Sequence, residues 1–140
     1  MNKEKIYRAG VIPYYVEENE IKMMFMKPSN PKFGGKCFQV AKGKQEDGES
    51  DKETAFREAG EELGLFNGNV INKHDLGNFL GRTRIYLAEI EDPNMFGDPD
   101  SETGEVTWMT PDEFSGVGRE LHRPVVKAAT RWIVEHKKLK

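Results

Sequence analysis

Between Gly43 and Leu65 the chain reads GKQEDGESDKETAFREAGEELGL, and three of its carboxylates, Glu58, Glu61 and Glu62, fall at i, i+3 and i+4. On a helix those positions share one face. Like charges so placed repel by roughly 0.2–0.5 kcal/mol per i,i+4 pair. The pattern therefore belongs either to a solvated Glu-rich surface or to a site where a cation neutralises it. Oxygen-only ligands grouped on one face suit a hard cation, Mg²⁺ or Mn²⁺.

The helix is well marked. Ser50 and Glu53 have capping-box spacing. Ala55, Ala59 and Leu63 form an apolar stripe opposite the acids. Gly64 is placed to end the helix. Gly43 and Gly48 bracket the loop that turns into it.

The same segment resembles the box of the Nudix (MutT-like) hydrolases, Gly-x5-Glu-x7-Arg-Glu-U-x-Glu-Glu-x-Gly-U with U apolar. It does so through Gly43, Glu49, Arg57, Glu58, Ala59, Glu61, Glu62, Gly64 and Leu65. Every fixed position is filled, with a small Ala59 at one apolar site. The resemblance implies a Nudix fold over most of the chain: a mixed β-sheet sandwiched between helices, an α/β/α arrangement within the α+β class. It also implies Glu58, Glu61, Glu62 and the backbone carbonyl of Lys42 as metal ligands. Arg57 and Glu49 would orient those ligands without touching substrate.

With 140 residues, the length fits one domain, residues 1–140, with a real core. A net charge of −3 excludes a strong nucleic-acid or membrane field over the whole surface. RNA is a partner only through its 5′ ends. One cysteine, Cys37, rules out an internal disulfide and fits a reducing cytosol. No apolar run approaches a membrane span of about 20 residues. A cytoplasmic protein acting on a small nucleotide, as monomer or homodimer, is the expectation.

In chain order, residues 6–16 read as a strand in which Pro13 suits an edge or a bulge. Ile21 to Met26 is a second strand, antiparallel to the first, whose methionines are core. Residues 28–36 form a loop, and Cys37 to Val40 a short strand leading into the box. Val70 to Leu80 holds a strand with His74 inside it, read as structural, and Arg84 to Ile90 another. Asp92 to Gly104 is a long polar loop, of the kind that serves function, and Glu105 to Met109 a strand. Thr110, Pro111 and Glu113 start a helix. Residues 124–138 form the last one, with Val125, Ala128, Ala129, Trp132 and Ile133 on its apolar face.

Phosphoanhydride hydrolysis needs charge neutralisation, an aligned water and a base. Glu58, Glu61, Glu62 and Arg57 serve the first two needs. For the base, Ser101 to Trp108 resembles the late acidic loop of the family. Glu102 is the first choice; Glu105 is second, or a supporting acid at a strand edge. Lys42 and Lys44 flank the acids, as phosphate contacts or as solvated loop lysines. The stretches from Tyr7 to Ile12 and from Ile85 to Glu89 resemble the diadenosine tetraphosphate hydrolases of the family. That resemblance implies Arg8 at phosphate and Tyr86 near the nucleotide. Ala41 replaces the proline of that branch, and positions 81–83, Gly-Arg-Thr, lack its tyrosine. Phe33, Phe38 and Phe79 are read as core rather than as base-stacking groups.

The expected activity is therefore metal-dependent hydrolysis of a nucleoside diphosphate linked to another group, dinucleoside polyphosphates first. RNA 5′-end pyrophosphohydrolysis and cleavage of oxidised nucleoside triphosphates are the alternatives within the class. A non-catalytic nucleotide-binding module is the alternative outside it.

Overall fold

The structure is a computed structural model, and it describes residues 7–30, 32 and 36–139. Phe33 lies outside these residues. Six strands form one mixed sheet: β1 (Arg8–Glu17), β2 (Glu20–Pro28), β3 (Ala41–Lys44), β4 (Val70–Phe79), β5 (Thr83–Ile90) and β6 (Thr103–Met109). The order is β4-β5-β1-β2-β6, with β3 also pairing β1. The helices are α1 (Asp51–Leu63), α2 (Pro111–Val117) and α3 (Arg123–Lys137). Among the described residues no helix is long and apolar enough to cross a membrane.

Alternation along β1 and β5 separates the two faces of the sheet. Ala9, Val11, Ala88 and Ile90 pack with Ala55 and Ala59 of α1. Ile12, Tyr14, Ile85 and Leu87 pack with Phe114 of α2 and with Val125, Ala129 and Ile133 of α3. The expected α/β/α sandwich is present. Fully burying a Leu or Ile side chain contributes about 1.5–3 kcal/mol, so these two layers fix the platform that carries the loops. Met23, Met24 and Met26 are buried, and Phe38 and Phe79 belong to the α2–α3 side of the core, as expected.

Both long-range helix starts follow the sequence. Ser50 and Glu53 close a full capping box on α1, and Thr110 and Glu113 close another on α2. Gly64 ends α1 in the left-handed conformation, φ 78°. A Cβ there would also lie 2.0 Å from the carbonyl oxygen of Gly97, so glycine is required twice over.

Three expectations are corrected. Pro13 lies within a central strand, opposite Ala88 of β5, not at an edge. Its missing N–H does no harm because β1 changes partner there. Val11 is the last residue paired to β3 and Tyr14 the first paired to β2. Cys37 to Val40 is not a strand: Phe38 and Gln39 make isolated bridges to Gly118 and Met26. The true strand starts at Ala41 and runs into the box, where it pairs β1 from Arg8 to Val11. On α3, Val126 is buried while Ala128 is only partly so.

His74 is structural, as read. Its ring stacks on Trp132 at 3.9 Å, and His136 covers the other neighbour of that stack at 4.4 Å from Trp132.

Candidate active site

A cavity of about 500 Å³ opens where β3, α1 and the loop before β6 meet. Its lining includes the carboxylates Glu58, Glu62 and Glu102 and the cations Arg8, Lys42, Lys44 and Arg119. Local structure delivers each of them. Glu58 and Glu62 are one turn apart on α1. Arg8 and Lys44 are opposite each other in the β1–β3 register, two residues from the Gly10–Lys42 pair.

The loop that carries Glu102 is tied down on two sides. Asp100 N–H donates to the Glu61 carbonyl at 2.7 Å, and Thr103 Oγ1 donates to the Glu62 carbonyl at 2.9 Å. These are carbonyls at the end of α1, which need partners. On the other side, Ser29 N–H donates to the Glu102 carbonyl at 2.9 Å and Ser29 Oγ to that of Ser101 at 2.9 Å. Glu102 is thereby held at the cavity by its backbone, with no hydrogen bond or ion pair made by its carboxylate among the described residues.

Arg57 is the hub of the acidic side. Its Nε and Nη2 donate to the two oxygens of Glu49 at 2.6 and 3.1 Å. Its Nη1 donates to Glu58 at 3.1 Å and to Glu61 at 3.2 Å, and Nη2 reaches the Lys44 carbonyl at 3.1 Å. The fork and the backbone N–H of Glu46 hold the Glu49 carboxyl down to about 2. Its ordinary value is 4.5, so the stability this group contributes is present above pH 4.5 and is lost as pH falls toward 2. A lysine has one ammonium and cannot make the fork. Arg57→Lys is expected to lower kcat/KM by about 10–100-fold, the usual cost of losing a residue that orients ligands. Steady-state kinetics at saturating metal checks this; an unchanged value would mean that Glu58 holds its place unaided.

Glu62 is pushed up to about 8, chiefly by burial and then by the Glu58 carboxylate. Glu58 is raised as well, by burial and by Glu61. The Lys42 N–H donates to Glu62 Oε1 at 3.1 Å. Two partly buried carboxylates thus stand in a place that disfavours their charge, with Arg57 reaching only Glu58. That is the electrostatic setting a divalent cation relieves, and the all-oxygen donors suit a hard one. Glu61 stands apart from these two. It is outside the cavity lining, its side chain is 47% exposed, and its partner is Arg57. Among the described residues no three His, Cys, Asp or Glu side chains converge closely enough to form a metal cage on their own. Glu58 and Glu62 supply the carboxylate oxygens that a hard divalent cation takes.

Gly43 shows why the box begins with glycine. A Cβ there would fall 2.1 Å from the Glu58 carboxyl carbon. The carboxylate occupies the space a side chain would need.

Other predicted residues fall elsewhere. Glu105 is exposed on β6 and pairs with Lys27 at 3.8 Å, outside the cavity. Tyr86 packs on the α1 side of the sheet, its ring 6.1 Å from Phe56, and does not line the cavity either. Sequence reading missed Arg119, Gln39 and His122. The buried His122 accepts the Val40 N–H on Nδ1 at 3.0 Å and so anchors the start of the β3 segment. Burial, followed by the nearby Lys42 and Arg119, holds its imidazole down to about 3. It is therefore neutral, with its hydrogen on Nε2.

The NUDIX domain family model matches residues 5–133. The chain belongs to the Nudix family. Its intact box is that of a Nudix pyrophosphohydrolase. Solved Nudix structures resemble it over nearly its whole length. A C. elegans Ap4A hydrolase binary complex has a TM-score of 0.75 at 15% identity, covering 94% of this chain and 99% of that one. The NUDIX domain of Shewanella oneidensis NrtR, complexed with ADP ribose, has a TM-score of 0.75 at 14% identity, covering 94% and 90%. A mutT/nudix family protein from Listeria innocua has a TM-score of 0.74 at 21% identity, covering 99% and 100%. At such identities the likeness is one of Nudix fold. No curated protein matches this Nudix chain at a significant level.

Proposed function

We propose that the protein hydrolyses a phosphoanhydride bond in a nucleoside diphosphate linked to a further group, with Mg²⁺ or Mn²⁺, and that dinucleoside polyphosphates are its leading substrates. One observation carries the reading: the partly buried Glu58 and Glu62 share a cavity with four cationic side chains, so cation-binding and phosphate-binding groups face the same space. The Ap4A hydrolase fold likeness and the Tyr7–Ile12 segment favour the substrate class.

A divalent ion, when bound, would neutralise phosphate charge and acidify a water. Glu58 and Glu62 would hold it, together with Glu61 and the Lys42 carbonyl. Arg8, Lys42 and Lys44 bind phosphate oxygens and orient the chain. The Glu102 carboxylate takes the proton of the attacking water. The oxygen of that water bonds to phosphorus while the bridging P–O bond breaks, and the leaving phosphate keeps the electron pair. Arg57 and Glu49 keep Glu58 in place throughout.

The base is tested by comparing Glu102→Gln with Glu105→Gln. The first is expected to lower kcat by about 10²–10⁴-fold. The second should stay within about threefold, since an exposed ion pair contributes little. Equal, mild effects on kcat would remove Glu102 from the role. The substrate class is tested with a panel of dinucleoside polyphosphates, ADP-ribose, oxidised nucleoside triphosphates and 5′-triphosphorylated RNA. The highest kcat/KM is expected for a dinucleoside polyphosphate; a higher value for RNA or for an oxidised triphosphate would reassign it.

A further inference from the structure

One wall of the cavity is cationic. Arg8, Lys42, Lys44 and Arg119 all line it, yet no hydrogen-bonded or ion-pair partner for their side chains is found among the described residues. Arg57, Arg84 and Arg123, by contrast, each have one. Near Lys42 and Arg119, the buried His122 Nε2 also has no hydrogen-bond partner among the described residues. Cationic side chains that share a cavity with three carboxylates and bond to none of them among the described residues are free to take an extended anion.

Arg119 differs from the other three in how it arrives. It comes from the connector between α2 and α3, whereas Arg8 lies on β1 and Lys42 and Lys44 on β3. Its N–H donates to the Phe38 carbonyl at 2.7 Å, the Phe38 N–H donates to the Val117 carbonyl at 3.2 Å, and Gly118 bridges Phe38. The backbone at Arg119 is thus fastened to the segment that leads into β3. The guanidinium has no hydrogen-bond or ion-pair partner among the described residues and is set to take a phosphate in two-point contact.

We infer that Arg119 is a specificity-determining residue that grips phosphates beyond the pair flanking the cleaved bond, so that the site selects chains of three or more phosphates. This rests on the hydrolase reading and adds to it a measure of chain length. Arg8, Lys42 and Lys44 lie beside the acidic helix and serve the reacting diphosphate. Arg119 serves the remainder of the chain.

The test uses two readouts. The first is the ratio of kcat/KM for diadenosine tetraphosphate over that for ADP-ribose, in wild type, Arg119→Gln and Arg119→Lys. The ratio is expected to fall about tenfold in Arg119→Gln, carried mainly by KM, and by a smaller factor in Arg119→Lys, which keeps the charge but loses the fork. The second is calorimetric binding of inorganic tripolyphosphate and pyrophosphate with Mg²⁺ in excess. Wild type should prefer tripolyphosphate, and Arg119→Gln should lose most of that preference. Because the Arg119 backbone bonds do not involve its side chain, the variants should fold; if Arg119→Gln does not, Arg119→Lys decides. An unchanged ratio, or a wild type that binds both anions equally, overturns the inference. A wild type that turns over no nucleotide overturns the hydrolase proposal instead, and leaves the binding comparison readable.

Discussion

Replacing Glu62 by Gln is expected to lower kcat by about a thousandfold or more, while making the metal-free protein more stable at pH 8. Both effects come from one cause. Burial and the Glu58 carboxylate push Glu62 up to about 8, outweighing the Lys42 N–H and ammonium that favour its charge. The folded value lies above the ordinary 4.5, so the native state binds the proton more tightly than the unfolded chain does. Stability contributed by this group is then greatest below pH 4.5 and falls as pH rises from 4.5 to about 8. The loss is on the order of a few kcal/mol. A glutamine cannot ionise and escapes it. Thermal melts in chelator at pH 5 and pH 8 should show the wild type losing stability over this range and the variant losing less. Adding Mg²⁺ should restore the wild type and leave the variant unmoved. A variant that is both active and pH-sensitive would mean that Glu62 is an ordinary surface acid.

Gly43→Ala should lower kcat by about a hundredfold with little change in Tm. The new Cβ would sit 2.1–2.5 Å from the three carboxyl atoms of Glu58. What it strikes is the flexible end of a side chain, so the protein can yield cheaply by swinging the carboxylate aside. The backbone of β3 and its pairing to β1 need not move. The carboxylate then leaves the cavity, and a misplacement of about 1 Å in a catalytic group costs about 100-fold. Kinetics and a melt of the same variant check this. A large drop in Tm would show instead that Glu58 is locked by Arg57 and that the strand gives way.

What could be read from the sequence is local. Ser50, Glu53, Gly64, Thr110 and Glu113 act on neighbours within four residues, so both capping boxes and the end of α1 are found as read. The same holds for the reach of Arg57 to Glu61. The missed features are those made by register between distant segments. Cys37 to Val40 has strand-like residues but no continuous partner, since only isolated bridges form, to Met26 and Gly118. Pro13 is tolerated in mid-sheet because β1 passes from β3 to β2 around it. Whether Glu102 or Glu105 faces the cavity depends on the pairing of β6 with β2, whose register shifts between Lys27 and Pro28. Tyr86 follows strict alternation onto the α1 face of the sheet, away from the cavity. Arg119 and His122 carry no local signal. Arg119 reaches the site through the Phe38 carbonyl, and His122 through a bond that spans 82 residues.

The most direct test of the metal-dependent hydrolase claim is product release from diadenosine tetraphosphate by wild type, with Mg²⁺, with Mn²⁺ and with chelator. Turnover with either ion, abolished by chelator and by Glu62→Gln, is the predicted result. Turnover that persists undiminished in chelator, or a wild type inert with both ions on every nucleotide of the panel, would contradict it.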